Sequence, residues 1–374
     1  MIIQNAKVFH EKGTFEAGDI AISGEYFIDD LQGGEVFDAG GCYAIPGLID
    51  LHIHGCVGHD FSDADTDEAG LKDMAHYLAA NGITALCPTL LTLPEAQLAS
   101  ACKRITAYSD PEGADFAGIY LEGPFLSPNK CGAQNPEYIR LPDEDMIRRL
   151  QAEAGGRIKL LAIAPEREGA MELIAEIGGE IVCALAHTEA NYALAQQAFK
   201  HGARQVTHLY NAVPPFHHRD PGVIGAAMDA THCRVELICD NVHVHPSVVR
   251  ATFRMFGDER IILISDSIIA TGLADGSYDL GGLAIEVRSN LSTLTEGNSI
   301  AGSVTNLMDC VRVAVRLMDI PLASAVKCAT VNPAKAIGVY GQQGSIEAGK
   351  LADLVLLNED LSIRAVFLRG KRIV

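Results

Sequence analysis

The sequence predicts an α/β protein in which a (β/α)8 TIM-type barrel carries a small β-sandwich formed from both chain termini. Three observations predict it. Between residues 46 and 340, eight short apolar runs alternate with stretches of helical period, the signature of βα units around a parallel sheet. The polar residues best suited to chemistry fall where those runs end, and in such barrels the active groups sit at the C-terminal ends of the strands. Residues 1–45 and 341–374 depart from the pattern with short, alternating, strand-like runs.

In chain order, residues 1–45 contain Lys7-Val8-Phe9 and Asp19-Ile20-Ala21-Ile22, broken by the pairs Gly33-Gly34 and Gly40-Gly41, and read as short strands with turns. The eight runs are Leu48–His54, Thr84–Pro88, Gly118–Glu122, Ile158–Ala164, Ile181–His187, Gln205–Leu209, Arg234–Asp240 and Arg260–Asp266. After the eighth, Ser277–Ile300 is rich in Gly, Ser and alternating apolar residues and reads as a hairpin-like insertion. Helical period returns over Asn306–Met318 and Ala323–Ala336, and Pro333 predicts a kink or break in the second. The tail GSIEAGKLADLVLLNEDLSIRAVFLRGKRIV is strand-like again. The expected division is 1–45 and 341–374 as the two parts of the β-sandwich, with 46–340 as the barrel.

Composition narrows the function classes. The 374 residues exceed the ~150 of a typical domain and suffice for a barrel with an appendage. With 48% hydrophobic and 21% charged residues, disordered and low-complexity classes fit poorly. Lys+Arg number 29 against 48 Asp+Glu, a net charge of −19, which opposes nucleic acid or an anionic membrane as partner. A small anion held by local positive groups stays open. The opening residues lack a basic region followed by an apolar run, which predicts no signal peptide, and no stretch approaches the ~18 apolar residues of a spanning helix. The expectation is a cytoplasmic protein. Ten Cys without a CxxC pair predict reduced thiols, most of them in the core, rather than a disulfide framework or a Cys-based metal site.

In His52-Ile53-His54 the side chains at i and i+2 share one face of a strand, so both imidazoles can converge on one point. Alone, this pair is weak evidence, and two ordinary polar residues near a strand end are the plainer reading. Glu122, His187, His208 and Asp266 add four more N/O ligand types at other strand ends, all expected to face one barrel mouth. An all-N/O set suits Zn, Fe, Mn or Co and argues against a thiolate site. Six candidates exceed the three protein ligands of a catalytic tetrahedral ion, so one or two divalent ions are expected, Glu122 bridging in the second case.

The motifs PGLIDLHIHG (46–55) and GSIEAGKLADLV (344–355) resemble the amidohydrolase superfamily. LEGPF (121–125), AHT (186–188), THLYNAVPP (207–215), DNVHVHP (240–246) and AGS (301–303) resemble its N-acetylglucosamine-6-phosphate deacetylase family, in the right order over essentially the whole chain. The resemblance implies a barrel with a sandwich from both ends, usually as a homodimer acting on a small amino-sugar phosphate. It implies that Glu122, His187 and His208 hold the main metal, with His52 and His54 serving a second, and that Asp266 is the general base and acid. The plain alternative for Asp266 is a strand-end cap. A carbamylated lysine bridges the metals in the other large branch of the superfamily, and Glu122 stands at that position, which counts against cyclic-amide hydrolysis.

On the substrate side the resemblance implies that the backbone of Asn211 and Ala212, the His243 side chain and Arg219 contact the phosphate, the arginine reaching across the dimer. A dianion in a protein of this charge needs amide donors and a fixed guanidinium. Solvated loop charge and a satisfied strand-end histidine are the plain alternatives for Arg219 and His243. Residues 127–136 have the composition of a lid loop beside Glu122. Many relatives have a substrate-contacting His where Gln134 stands, so the resemblance implies that Gln134 contacts the substrate; Gln can donate and accept hydrogen bonds but carries no charge. The remaining eight histidines are assigned no role. The implied reaction is hydrolysis of N-acetylglucosamine 6-phosphate to glucosamine 6-phosphate and acetate. Its rivals are the galactosamine 6-phosphate epimer, another amidohydrolase activity and a non-catalytic sugar-phosphate sensor.

Overall fold

In a computed structural model of the protein, which describes residues 1–30, 33–297 and 299–374, eight parallel strands stand in one circular order. They are Leu48–Ile53, Ile83–Leu90, Ile119–Phe125, Ile158–Ile163, Val182–Leu185, Gln205–Val206, Arg234–Ile238 and Ile261–Ile264, each paired with its successor. Closure between the last and the first is made by few bonds. Asp266 N–H donates to the His52 carbonyl at 2.9 Å, and His54 N–H donates to the Ser267 carbonyl at 2.8 Å. The seam of the barrel thus runs through three of the residues expected to carry chemistry.

Both faces of these strands are buried, as a parallel sheet covered by helices requires. Leu161 and Ile163 pack outward into the cluster beneath the helices, whereas Leu160 and Ala162 belong to a second cluster with Tyr120, Ala184 and Ile264. A helix follows every strand, from Glu68–Ala80 after the first to Leu307–Met318 after the eighth. The first buries Leu71, Met74, Ala75, Leu78 and Ala79, an i, i+3, i+4, i+7, i+8 stripe. Asp67, Asp143, Asn191 and Asn306 each cap a helix start by accepting a backbone N–H three residues on.

The terminal strands join in one eight-stranded sheet with its own apolar core, including Ile3, Ile20, Phe27, Leu354 and Phe367. The two ends meet where Tyr43–Pro46 pairs antiparallel with Leu354–Leu357. Ile2–His10 is the branching strand, pairing with Thr14–Ser23, Val36–Asp38 and Tyr43–Pro46, with a register shift between Ile3 and Ala6.

The insertion is a three-stranded antiparallel sheet, Gly276–Leu280, Leu283–Arg288 and Leu291–Leu294. The helix break lies at Thr330 rather than at Pro333, between helices Leu322–Ala329 and Val331–Ala336. Proline lacks the N–H that would bond one turn back, so it is accommodated in the first turn of a new helix, where that N–H has no partner in the helix. The sixth strand is shorter than its apolar run, because His208 and Tyr210 adopt positive φ, 27° and 81°.

Candidate metal centre

The ends of the first, third, fifth, sixth and eighth strands deliver their polar residues to the barrel mouth, as expected from their places in the runs. Two groups form there, Glu122 with His187 and His208, and Asp266 with His52 and His54. Glu122 Oε1 lies 3.1 Å from His187 Nε2, 3.0 Å from His208 Nε2 and 3.5 Å from His52 Nε2. Its other oxygen is 3.2 Å from His54 Nε2, so this single carboxylate reaches both groups. Asp266 Oδ1 lies 3.4 Å from His54 Nε2 and 3.5 Å from His52 Nε2.

The local backbone is arranged for this convergence. His187, His208 and Asp266 have φ of 43°, 27° and 51°, a left-handed region that non-glycine residues enter at a cost of order 1–3 kcal/mol and keep only where the surroundings over-determine it. For Asp266 those surroundings are its N–H on the His52 carbonyl and its own carbonyl, which accepts the Ser303 N–H at 2.7 Å. The AGS segment thus acts as a brace. Gly302, at φ +57°, fits only without a side chain, since a Cβ would stand 2.4 Å from Ile268 Cγ2.

The donor chemistry fits a cation. Three of the four imidazoles have an acceptor at Nδ1: the Thr89 carbonyl for His54 at 3.2 Å, the Lys130 carbonyl for His187 at 2.7 Å and Glu236 Oε2 for His52 at 3.0 Å. A neutral imidazole that donates from Nδ1 presents a bare lone pair at Nε2. Those Nε2 atoms face inward, 3.1 Å apart in His187 and His208 and 3.3 Å apart in His52 and His54. Lone pairs so placed are satisfied together by a shared cation, with carboxylates balancing its charge.

Without a cation the same crowding shifts the titrations. Burial opposes charge on Glu122, but the His52 charge and the hydrogen bonds of His187 and His208 outweigh it and hold the carboxyl well below 4.5. Burial likewise disfavours a charged His54, yet Asp266 and Glu122 beside it raise its pKa to about 9. Asp266 is lowered in spite of burial by the charges of His52 and His54.

A cavity of about 320 Å³ opens over the centre. Its wall includes His54, Glu122, His187, His208 and Asp266, and also Gln134, Asn211, Ala212 and His243. His243 is anchored through Nδ1 to Asp240 Oδ2 at 2.7 Å. The Gln134 carboxamide donates to Glu122 Oε2 and accepts the Thr92 N–H at 2.7 Å, so it contacts the centre itself as well as the cavity. Arg219 is not brought to the cavity of its own chain. It is exposed, and its guanidinium meets His218 Nε2 at 2.7 Å. The sequence did not single out Glu236, nor Leu91, Ile268, Leu280, Ser299 and Ile300, which also line the cavity. The available signal for Glu236 was an acidic residue inside an apolar run whose two faces are both buried, a position that demands a partner.

The model of the amidohydrolase family matches residues 43–373. The chain belongs to the amidohydrolase family. Among its relatives, the N-acetylglucosamine-6-phosphate deacetylase of Bacillus subtilis (strain 168) is 38% identical over 332 residues, 87% of this chain and 83% of that one. The N-acetylgalactosamine-6-phosphate deacetylase of Escherichia coli O157:H7 is 33% identical over 87% of this chain and 86% of its own. Among solved amidohydrolases, an aspartate-to-alanine mutant of the Mycobacterium smegmatis N-acetyl-D-glucosamine-6-phosphate deacetylase, in complex with N-acetyl-D-glucosamine-6-phosphate, superposes with a TM-score of 0.92. It is 33% identical, and the match covers 100% of this chain and 99% of that one. The fold class and the family that the sequence predicts are borne out by these matches and by the parallel barrel.

Proposed function

We propose that this amidohydrolase removes the acetyl group of N-acetyl-D-glucosamine 6-phosphate, releasing acetate and D-glucosamine 6-phosphate. The observation that carries the reading is one carboxylate, Glu122, touching two groups of imidazoles beneath a cavity large enough for a sugar phosphate. Relatives of the same name at 31–38% identity support the substrate.

Glu122, His187 and His208 would hold one divalent ion, and His52 and His54 with Asp266 a second. When bound, such an ion polarises an amide carbonyl and makes water a stronger acid. Asp266, ionised and open to the cavity, takes the proton of the attacking water at its carboxylate and returns it to the departing amine nitrogen. Asn211, Ala212 and His243, in the wall of the same cavity, orient the sugar phosphate. The metal-binding, catalytic and phosphate roles belong to this proposal, as do a cytoplasmic location and a homodimer. Among the described residues no helix is long and apolar enough to cross a membrane, and Arg219, exposed and outside the wall of its own cavity, serves that of a second copy.

The test is acetate release from N-acetylglucosamine 6-phosphate by purified protein before and after chelation, with metal content measured on the same sample. Chelator-sensitive release is the expected result. No release from metal-replete protein would overturn the reading. A tenfold or greater preference for the galacto epimer, the substrate class in the name of the E. coli relative, would replace the sugar and keep the chemistry.

A further inference from the structure

Glu236 lies in the middle of Arg234–Ile238, fully buried inside the barrel, below the six residues of the centre. Its Oε1 accepts the Gln205 side-chain amide at 2.6 Å. Its Oε2 accepts the backbone N–H of His208 at 3.2 Å and faces His52 Nδ1 at 3.0 Å. Amide N–H groups only donate, so both oxygens of Glu236 already act as acceptors, and His52 must bring the proton to their contact. The His52 ring is also fixed in plane by the Tyr120 ring, whose centroid is 5.0 Å away at 64°.

We infer that Glu236 is a positioning residue for His52: its carboxylate keeps the imidazole proton on Nδ1 and so leaves the Nε2 lone pair for the cation site shared with His54 and Asp266. The inference rests on reading that group as a cation site. His52 differs in this respect from its neighbours. The Nδ1 acceptors of His54 and His187 are backbone carbonyls, which no substitution at those positions removes. The orientation of His52 alone depends on another side chain. Through the His208 backbone N–H the same carboxylate also touches the other group, but it contacts no ligand atom of that group.

The substitution Glu236→Met keeps the approximate volume and removes the acceptor. With nothing to receive the proton at Nδ1, it moves to Nε2, which then faces Glu122 and Asp266 and cannot bind a cation. Glu236→Gln is the matching control. Gln205 Oε1 has no partner among the described residues, and its amide can turn over to accept the new NH2, which leaves the amide oxygen of residue 236 for His52 and His208.

The experiment is Zn2+ retained after dialysis by wild type, Glu236→Met, Glu236→Gln, His52→Ala and the His52→Ala/Glu236→Met double variant. Expected are two equivalents in wild type and in Glu236→Gln, one in Glu236→Met, and no further loss when Glu236→Met is added to His52→Ala. Two equivalents in Glu236→Met, or loss of both, would overturn the inference, the second by showing a merely structural role. Should Glu236→Met fail to fold, the 15N signals of His52 in histidine-labelled, Zn-loaded wild type decide. A proton on Nδ1 is expected, and one on Nε2 overturns the inference. One equivalent in wild type would instead overturn the two-ion reading, and the His52 tautomer would still test Glu236.

Discussion

The carboxamide of Gln134 is hydrogen-bonded to the carboxylate of Glu122, and its oxygen accepts the Thr92 backbone N–H at 2.7 Å. A residue of segment 127–136 therefore holds one oxygen of Glu122, while His187 and His208 face the other. Replacing it tests whether the lid and the centre are mechanically linked. Gln134→Ala leaves the buried Thr92 N–H without a partner, a loss of about 1–3 kcal/mol. Chemical denaturation with metal present should show that loss, and unchanged stability would mean that the loop repacks.

Asp266→Asn keeps the shape and one acceptor oxygen but removes the ability to carry a proton. Turnover should fall by ~10² or more, as usual for loss of an acid–base group. Metal held by Glu122, His187 and His208 should stay. Near-normal turnover would take Asp266 out of the chemistry.

His52→Ala with His54→Ala removes two of the three members of the second group and leaves the first intact. Metal content should drop by one equivalent. Unchanged content would sink the two-ion model.

Arg219→Ala should raise KM for the phosphorylated sugar well above any effect on an unphosphorylated analogue. Because Arg219 is outside its own cavity, the effect depends on a second copy and should disappear in protein diluted to monomer. Equal effects on both sugars would separate Arg219 from the phosphate.

Asp353, at the junction of sheet and barrel, accepts the Arg369 N–H at 2.8 Å, while its carbonyl accepts the Gly47 N–H. Burial raises its pKa from 3.8 to about 6, against the partial relief given by Arg369. Between those values the native chain keeps a proton that the unfolded chain releases, so stability falls as pH rises through this window and the penalty is complete above it. The penalty is on the order of 3 kcal/mol. Asp353→Asn should remove it: the variant's advantage over wild type in urea denaturation should be larger at pH 7 than at pH 4. A constant difference would refute the buried, raised carboxyl.

Much of the architecture was legible because its signals are local. A strand buried on both faces needs an unbroken apolar run, a covering helix needs a 3.6-residue stripe, and Leu160–Ile163 and Leu71–Ala79 show both in their sequence. The polar residues at strand ends were legible for the same reason, since in a parallel barrel all such ends open on one mouth. The two-residue spacing of His52 and His54 already placed them on one face.

Local signals could not reach the distances that closure decides. Glu236 reads as an ordinary charge in a strand until the barrel closes and buries it against a strand 184 residues away. The loop composition around Gln134 marked a lid but not its bond to Glu122, and no local signal told that Arg219 stands outside the wall of its own cavity. The sequence by itself determined which elements form and which residues stand at their ends, because periodicity and strand polarity are properties of neighbours along the chain. Only the tertiary structure decided which side chains meet, because ring closure sets distances between segments that share no local pattern.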